Sequence, residues 1–174
     1  RGDEALLGQM VQLFVLANSP DNNIQQQVLT HLNEVSQKPD FPLYLVTIFA
    51  KMTDKQEVLR QQAGLVLKTH ISRSGRLPSE VSDYIQANVL IAVADKSRDI
   101  RHTAGTVLTA LVQAQGMTAC MQSLEKLTEL LGQGNPEAVE GSFNALNKIC
   151  EDGVSQLKLH YDAPPEQALP FLAW

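Results

Sequence analysis

This sequence is poor in the residues that usually carry chemistry. Cysteine occurs twice, at Cys120 and Cys150. The two lie about 30 residues apart without a CxxC pair, which makes neither a zinc site nor a disulfide framework. Both fall in helical patterns, so we expect buried, reduced thiols and a cytosolic or nuclear setting. Aromatic residues are only 5% of the chain and include one Trp. With no Lys/Arg run for them to interleave, the pattern excludes a nucleic-acid groove, and no direct nucleic-acid contact is expected. No apolar run approaches the ~20 residues needed to cross a bilayer, so no membrane partner is expected either. The opening RGDEALLG shows no basic-plus-apolar leader, and no Asn-X-Ser/Thr acceptor occurs. Without an initiator Met, a processed chain or an excised piece is expected, and the RGD tripeptide reads as chance.

Catalytic constellations are missing too. His31, His70, His102 and His160 lie in different segments, with no paired carboxylate or Cys at ligand spacing. No metal, no cofactor and no catalytic residue is therefore expected, and the chain does not read as an enzyme. GQGNPE at 132–137 contains Gly-X-Gly but follows a helical pattern. It lacks the third glycine and the preceding strand of a nucleotide fingerprint, so it reads as a turn between helices. Met117 and Met121 fall at helical spacing and read as core rather than as a sulfur-rich binding box.

What is present is periodic. Hydrophobic residues make up 44% and charged residues 19% of 174 positions, a soluble, foldable balance. The net charge of −5 divides unevenly: −3 over residues 1–50, +3 over 51–101 and −5 over 102–174. Ile24, Val28, Leu32 and Val35 step by four, four and three, the stripe of one helix face. Leu59, Ala63, Leu67 and His70 (with Ile71 beside it) repeat those steps. So do Ile100, Ala104, Leu108 and Leu111, and then Ala138, Ser142, Leu146 and Ile149. The stripes recur at a drifting period of about 40 residues, as stacked two-helix repeats do.

Each stripe follows a helix-start signal: Ser19-Pro20-Asp21, Thr53 with Gln56, Ser97 after Asp95, and Asn135-Pro136-Glu137. A cap oxygen, an early proline or an early acid relieves the unpaired N–H groups there. Upstream of each lies another apolar helix: ALLGQMVQLFVL; Phe41, Leu45, Ile48 and Met52; SEVSDYIQANVLIAVA; and Met117, Met121, Leu124, Leu127 and Leu131. No segment alternates with period two. The expected fold is all-α, an α-solenoid of antiparallel helix pairs.

Two pairs of residues set the detail. Ala63-Gly64 and Ala104-Gly105 stand mid-helix at matching places, where glycine costs roughly 0.5–1 kcal/mol relative to alanine. A narrow face allowing close helix approach explains them. The equivalent residues of the outer repeats are Val28-Leu29 and Ser142-Phe143, so tight contact is expected in the middle repeats only. Asp54 precedes Arg60 by six residues and Asp95 precedes Arg101 by six, while Ser19 and Gln25 hold the same places as a neutral version. This spacing resembles the HEAT-repeat pattern, in which the Arg and Asp side chains form a ladder between successive repeats. A bidentate guanidinium–carboxylate pair suits that role.

The order of particular residues resembles one family more closely. SPDNNIQQQVLTHLNEVSQKPDFPLYL, RQQAGLVLK, IRHTAGTVL and EGSFNALNKICED, over residues 19 to about 152, look like the amino-terminal repeats of the transportins. These form the beta-2 branch of the importin-beta (karyopherin) superfamily. Pro39-Asp40-Phe41 with Tyr44-Leu45, and KICED at 148–152, are the most specific pieces. MTACMQSLEKL and Lys68-Thr69-His70 depart from the transportin pattern, which leaves a neighbouring karyopherin branch as an alternative.

The resemblance implies one amino-terminal importin-beta-like HEAT array over 1–174, with repeats at about 4–37, 40–73, 79–115 and 117–152 and a partial fifth at 164–174. It implies a nuclear transport receptor shuttling between cytoplasm and nucleus. Its amino-terminal arch would bind the GTP form of the small GTPase Ran. Cargo with a nuclear localisation signal, and nucleoporins, would be met through the full-length protein. Ran and cargo would then oppose each other by binding different superhelix shapes.

In such a stack the second helices line the concave side. Positions half a turn from the core stripe face the groove: Gln26, Thr30 and Asn33; Gln61, Leu65 and Lys68; His102, Thr106 and Thr109; Glu140, Asn144, Asn147 and Glu151. Lys68 also lies in the motif that karyopherins share. A HEAT scaffold or regulatory subunit of a multiprotein complex is the alternative function, and an RNA-contacting helical repeat a weaker one. Leu169, Phe171, Leu172 and Trp174, in an unfinished repeat, lead us to expect self-association of a chain ending there.

Overall fold

The computed structural model describes residues 4–153. Among the described residues there are eight α-helices: α1 Glu4–Ala17, α2 Asn22–Val35, α3 Phe41–Ala50, α4 Glu57–Ser74, α5 Ser79–Val93, α6 Arg98–Gln115, α7 Met121–Leu131 and α8 Pro136–Asp152. A 3₁₀ turn, Thr118–Cys120, leads into α7. The expected partial fifth repeat, 164–174, and His160 lie outside the described residues, as do the apolar residues on which self-association was expected.

Consecutive helices pack as pairs, α1 with α2, α3 with α4, α5 with α6 and α7 with α8. The pairs then stack in chain order. First helices form one layer, α1 on α3, α3 on α5 and α5 on α7, and in the second layer α4 packs on α6 and α6 on α8. This is an all-α HEAT solenoid. No helix of the described residues is long and apolar enough to cross a membrane.

Burial follows position in the stack. α3 is gripped from α4, α5 and α1 and buries Phe41, Pro42, Tyr44, Leu45, Val46, Ile48, Phe49 and Ala50. α6 has neighbours in α4, α5 and α8 and buries an unbroken run from Val107 to Val112. α2, at the edge, buries only Val28. Its stripe partners Ile24, Leu32 and Val35 are half-buried. The core thus sits in the middle pairs, where losing a buried Leu such as Leu67 would cost about 2–5 kcal/mol.

Three helix starts use the caps their sequences advertise. Asp21 accepts from the Asn23 N–H, Ser97 from Ile100 and Asn135 from Ala138, each relieving an unpaired donor. The Thr53–Gln56 box does not form. Helix α4 begins after Gln56, whose side chain makes no cap hydrogen bond. The carbonyl of Gln56 instead takes the N–H groups of Leu59 and Arg60. α6 ends at Gly116, whose φ of +88° is open to glycine at no steric cost.

The glycine expectation needs one correction. A Cβ at Gly64 would stand 2.7 Å from Thr103 Cγ2 and 2.8 Å from Phe49 Cδ2, and one at Gly105 would stand 3.2 Å from Ala145 Cα. Both middle-repeat glycines are therefore close-approach positions. The tightest is Gly141, in the last pair, where a Cβ would run into the Val93 carbonyl of α5. Tight contact is not confined to the middle repeats. The cysteine expectation is half right: Cys120 is buried and Cys150 exposed. Cys150 follows Ile149, the last residue of the α8 stripe, and so turns off the buried face.

Candidate partner-binding face

The second-helix layer is held in register by two guanidinium groups. Arg60 is 5% exposed. Its Nε donates to the Phe49 carbonyl at 3.1 Å and its Nη2 to the Asp95 carboxylate at 2.5 Å. The second pair is thereby tied to the third, since Asp95 sits in the α5–α6 turn. Arg101, 6% exposed, donates to the carbonyls of Asp95 and Lys96, both at 2.9 Å, and to the Glu140 carboxylate at 2.5 Å.

The α7–α8 turn carries no Asp at the matching place, and Glu140, in the first turns of α8, supplies the carboxylate instead. Gly141 beside it lets α8 come that close to Arg101. Asp95 Oδ1 also accepts from the Ser97 N–H at 2.9 Å, so one carboxylate serves both the turn and the rung. Asp54 has no such role. It is exposed and pairs with Lys55 at 2.8 Å.

The other flank of this layer is open. On α2, Gln26, Thr30 and Asn33 are exposed, and Thr30 folds its hydroxyl back to the Gln26 carbonyl at 3.0 Å. On α4, Gln61 and Lys68 are half-buried and Leu65 is 46% exposed. On α6, His102 is exposed and Thr106 half-buried. On α8, Asn144 is half-buried, and Asn147 and Glu151 are exposed and bonded to each other at 2.9 Å.

Two expected face residues are placed otherwise. Thr109 is only 4% exposed, its hydroxyl donating to the Gly105 carbonyl at 2.8 Å. α6 lies between α4 and α8, and the narrow Gly105 lets α8 close over this part of it. Glu140 is committed to Arg101, and its other oxygen lies 3.5 Å from Arg98. Exposed apolar residues were missed: Leu29 and Phe143, both 63% exposed, and Val58, 55% exposed. Phe143 stands one position past the buried Ser142, and that place in the α8 stripe was the available signal.

Between α2 and α4 runs a cleft of about 620 Å³ lined by Leu29, Leu32, Phe41, Leu65, Val66 and His70, with Asn33, Thr69 and Arg73 among its polar residues. The His70 ring meets Phe41 edge-on, centroids 5.2 Å apart, and burial lowers its pKa below the ordinary histidine value. Among the described residues no cluster of three His, Cys, Asp or Glu side chains could hold a metal.

Residues 28–95, from mid-α2 to the Asp95 rung, match the importin-beta N-terminal domain. Over those residues the chain carries an importin-beta N-terminal domain. Its curated relatives are similar well beyond the matched domain. Transportin-1 of Mus musculus and of Homo sapiens are each 35% identical over 156 residues, 89% of this chain and 17% of the relative. Transportin of Dictyostelium discoideum is 32% identical over 152 residues, 87% of this chain and 16% of its own. Importin subunit beta-2 of Schizosaccharomyces pombe is 32% identical over 149 residues, 82% and 16%. This importin-beta N-terminal array thus spans about a sixth of the length of the curated relatives it matches. The matched domain includes the α2–α4 cleft, Lys68 and the Arg60 rung.

Proposed function

We propose that this array is part of a nuclear transport receptor and that the open flank of its second-helix layer binds the small GTPase Ran in its GTP form. The observation that carries the reading is the importin-beta N-terminal domain match at residues 28–95, joined to polar residues on the open flanks of α2, α4, α6 and α8. The contact residues are Gln26, Thr30, Asn33, Gln61, Lys68, His102, Asn144, Asn147 and Glu151. Thr109, buried in α6, acts only by supporting that flank. Cargo carrying a nuclear localisation signal, and nucleoporins, are met by the longer receptor. That receptor shuttles between cytoplasm and nucleus and works by binding rather than by catalysis.

Lys68 is the charge best placed to matter. It stands half-buried on α4, one turn from exposed Leu65, where a partner's acidic group would meet it against a partly desolvated background. The test compares Ran loaded with GTP and with GDP against the receptor bearing Lys68 or Lys68→Glu. Binding to the GTP form only, weakened about tenfold or more by the reversal with helicity intact, is the expected result. Equal binding of both nucleotide forms would favour a HEAT scaffold instead, and an unchanged affinity would remove Lys68 from the face.

A further inference from the structure

The ladder stops short of the first helix pair. Asp95 receives Arg60 of the preceding pair, and Glu140 receives Arg101. By its place in the repeat, six residues after Ser19 as Arg60 is six after Asp54, residue 25 should reach Asp54. That residue is Gln25, and its amide turns back within its own pair to the Ser19 carbonyl at 2.9 Å, while Asp54 bonds only the neighbouring Lys55. The packing follows the missing rung. α4 on α6 and α6 on α8 are the most extensive helix contacts of the array, whereas α2 and α4 barely touch. The cleft lined by Leu29 and Leu65 occupies the place where they would meet. What ties the first pair down is α1, through Leu6, Met10 and Phe14. A paired amide contact reinforces it, in which Asn18 and Gln62 exchange hydrogen bonds at 2.8 and 3.3 Å.

We propose that this seam is a built-in joint: α2 swings against α4 about the α1 anchorage, while the three following pairs move as one rung-locked body. A buried helix contact is close-packed and resists displacement. A seam without interdigitated side chains or a charged tie has no such restraint, and its motion belongs to the fast, low-energy end of the molecule's repertoire. Leu29 and Leu65 move apart and together as the cleft opens and narrows.

The missing rung can be installed. Gln25→Arg should reach Asp54 and close the seam, because a guanidinium–carboxylate hydrogen bond outweighs the neutral contact it replaces. Spin labels on Leu29→Cys and Leu65→Cys, in a Cys150→Ser background, report the seam by dipolar distance distributions. Labels on Leu65→Cys and Thr106→Cys report the locked α4–α6 contact.

The seam distribution should be about twice as wide as the control or wider. Gln25→Arg should narrow it to the control width, and adding Asp54→Asn should restore it. Helix content by circular dichroism should stay constant throughout, which separates a swing from unfolding of α2. A seam as narrow as the control would overturn the joint. So would narrowing by Gln25→Arg that survives Asp54→Asn, or a loss of helix signal accompanying the wide distribution.

Discussion

Asp95 and Glu140 both receive an arginine, yet the two carboxylates live in different surroundings. The Asp95 side chain is 12% exposed and that of Glu140 41%, so water screens the second pair far more than the first. Removing the charge from Asp95 leaves Arg60 buried without its counter-ion, a change that costs about 3–5 kcal/mol. We therefore expect Asp95→Asn to lower stability by that amount in urea unfolding, and Glu140→Gln by about 1 kcal/mol or less. Asp54→Asn should have almost no effect, and a comparable loss there would contradict the rung assignment.

His70 offers a second residue-scale test. Burial beside Phe41 lowers its pKa from the ordinary 6.5, so the unfolded chain takes up the proton first. Its contribution to stability is complete above pH 6.5 and is lost as pH falls toward the lower folded value. The urea midpoint should therefore drop between pH 7.5 and 5.5, and His70→Gln should drop less, whatever other groups add in common.

At the scale of the helix, close approach decides what is tolerated. Gly141 faces a backbone carbonyl that cannot rotate away, Gly64 faces two side chains, and Gly105 faces the backbone of Ala145 at a distance that needs only a small shift. Alanine should cost about 3 kcal/mol or more at Gly141, about 1–3 at Gly64 and least at Gly105. Thermal midpoints of the three variants test that order.

Here the limits of legibility are physical. The four-four-three stripes were readable because a helix buries whatever its period puts on one face. Val28, Leu67, Leu108 and Ile149 are all buried. Gly141 was not readable as a contact, because what it touches is the main chain of α5, and a main-chain neighbour leaves no trace in residue type. The burial of Thr109 has a related reason: periodicity locates the core face of α6 but not how far α8 closes over its other side. Periodicity alone puts Glu140 on the open flank, since the repeat pattern has its acid in the turn, and only the approach of α8 shows that a helical Glu can stand in for it.

For the whole molecule, the order of pairs and the two-layer stack were legible from the repeat period alone, since each pair must hide its neighbour's apolar side. The looseness at the front was written in the sequence as Gln25 where the later pairs have arginine, though only geometry shows the open seam that this leaves. A neutral residue costs little stability there, because α1 carries the anchorage, and it leaves three flank residues on an element free to adjust. A partner meeting Gln26, Thr30 and Asn33 therefore meets a movable rim beside a rigid floor.

The rungs also have a direction: Arg60 and Arg101 each lean on a carboxylate supplied by the pair that comes after their own. An array without its first pair keeps Arg60 and Arg101 satisfied, and loses the apolar contacts of α1 and the neutral Asn18–Gln62 exchange. One cut back behind α6 strands Arg101, with a full positive charge and nothing downstream to answer it. Loss at the trailing edge of such a solenoid therefore leaves a buried charge unanswered, and loss at its leading edge does not.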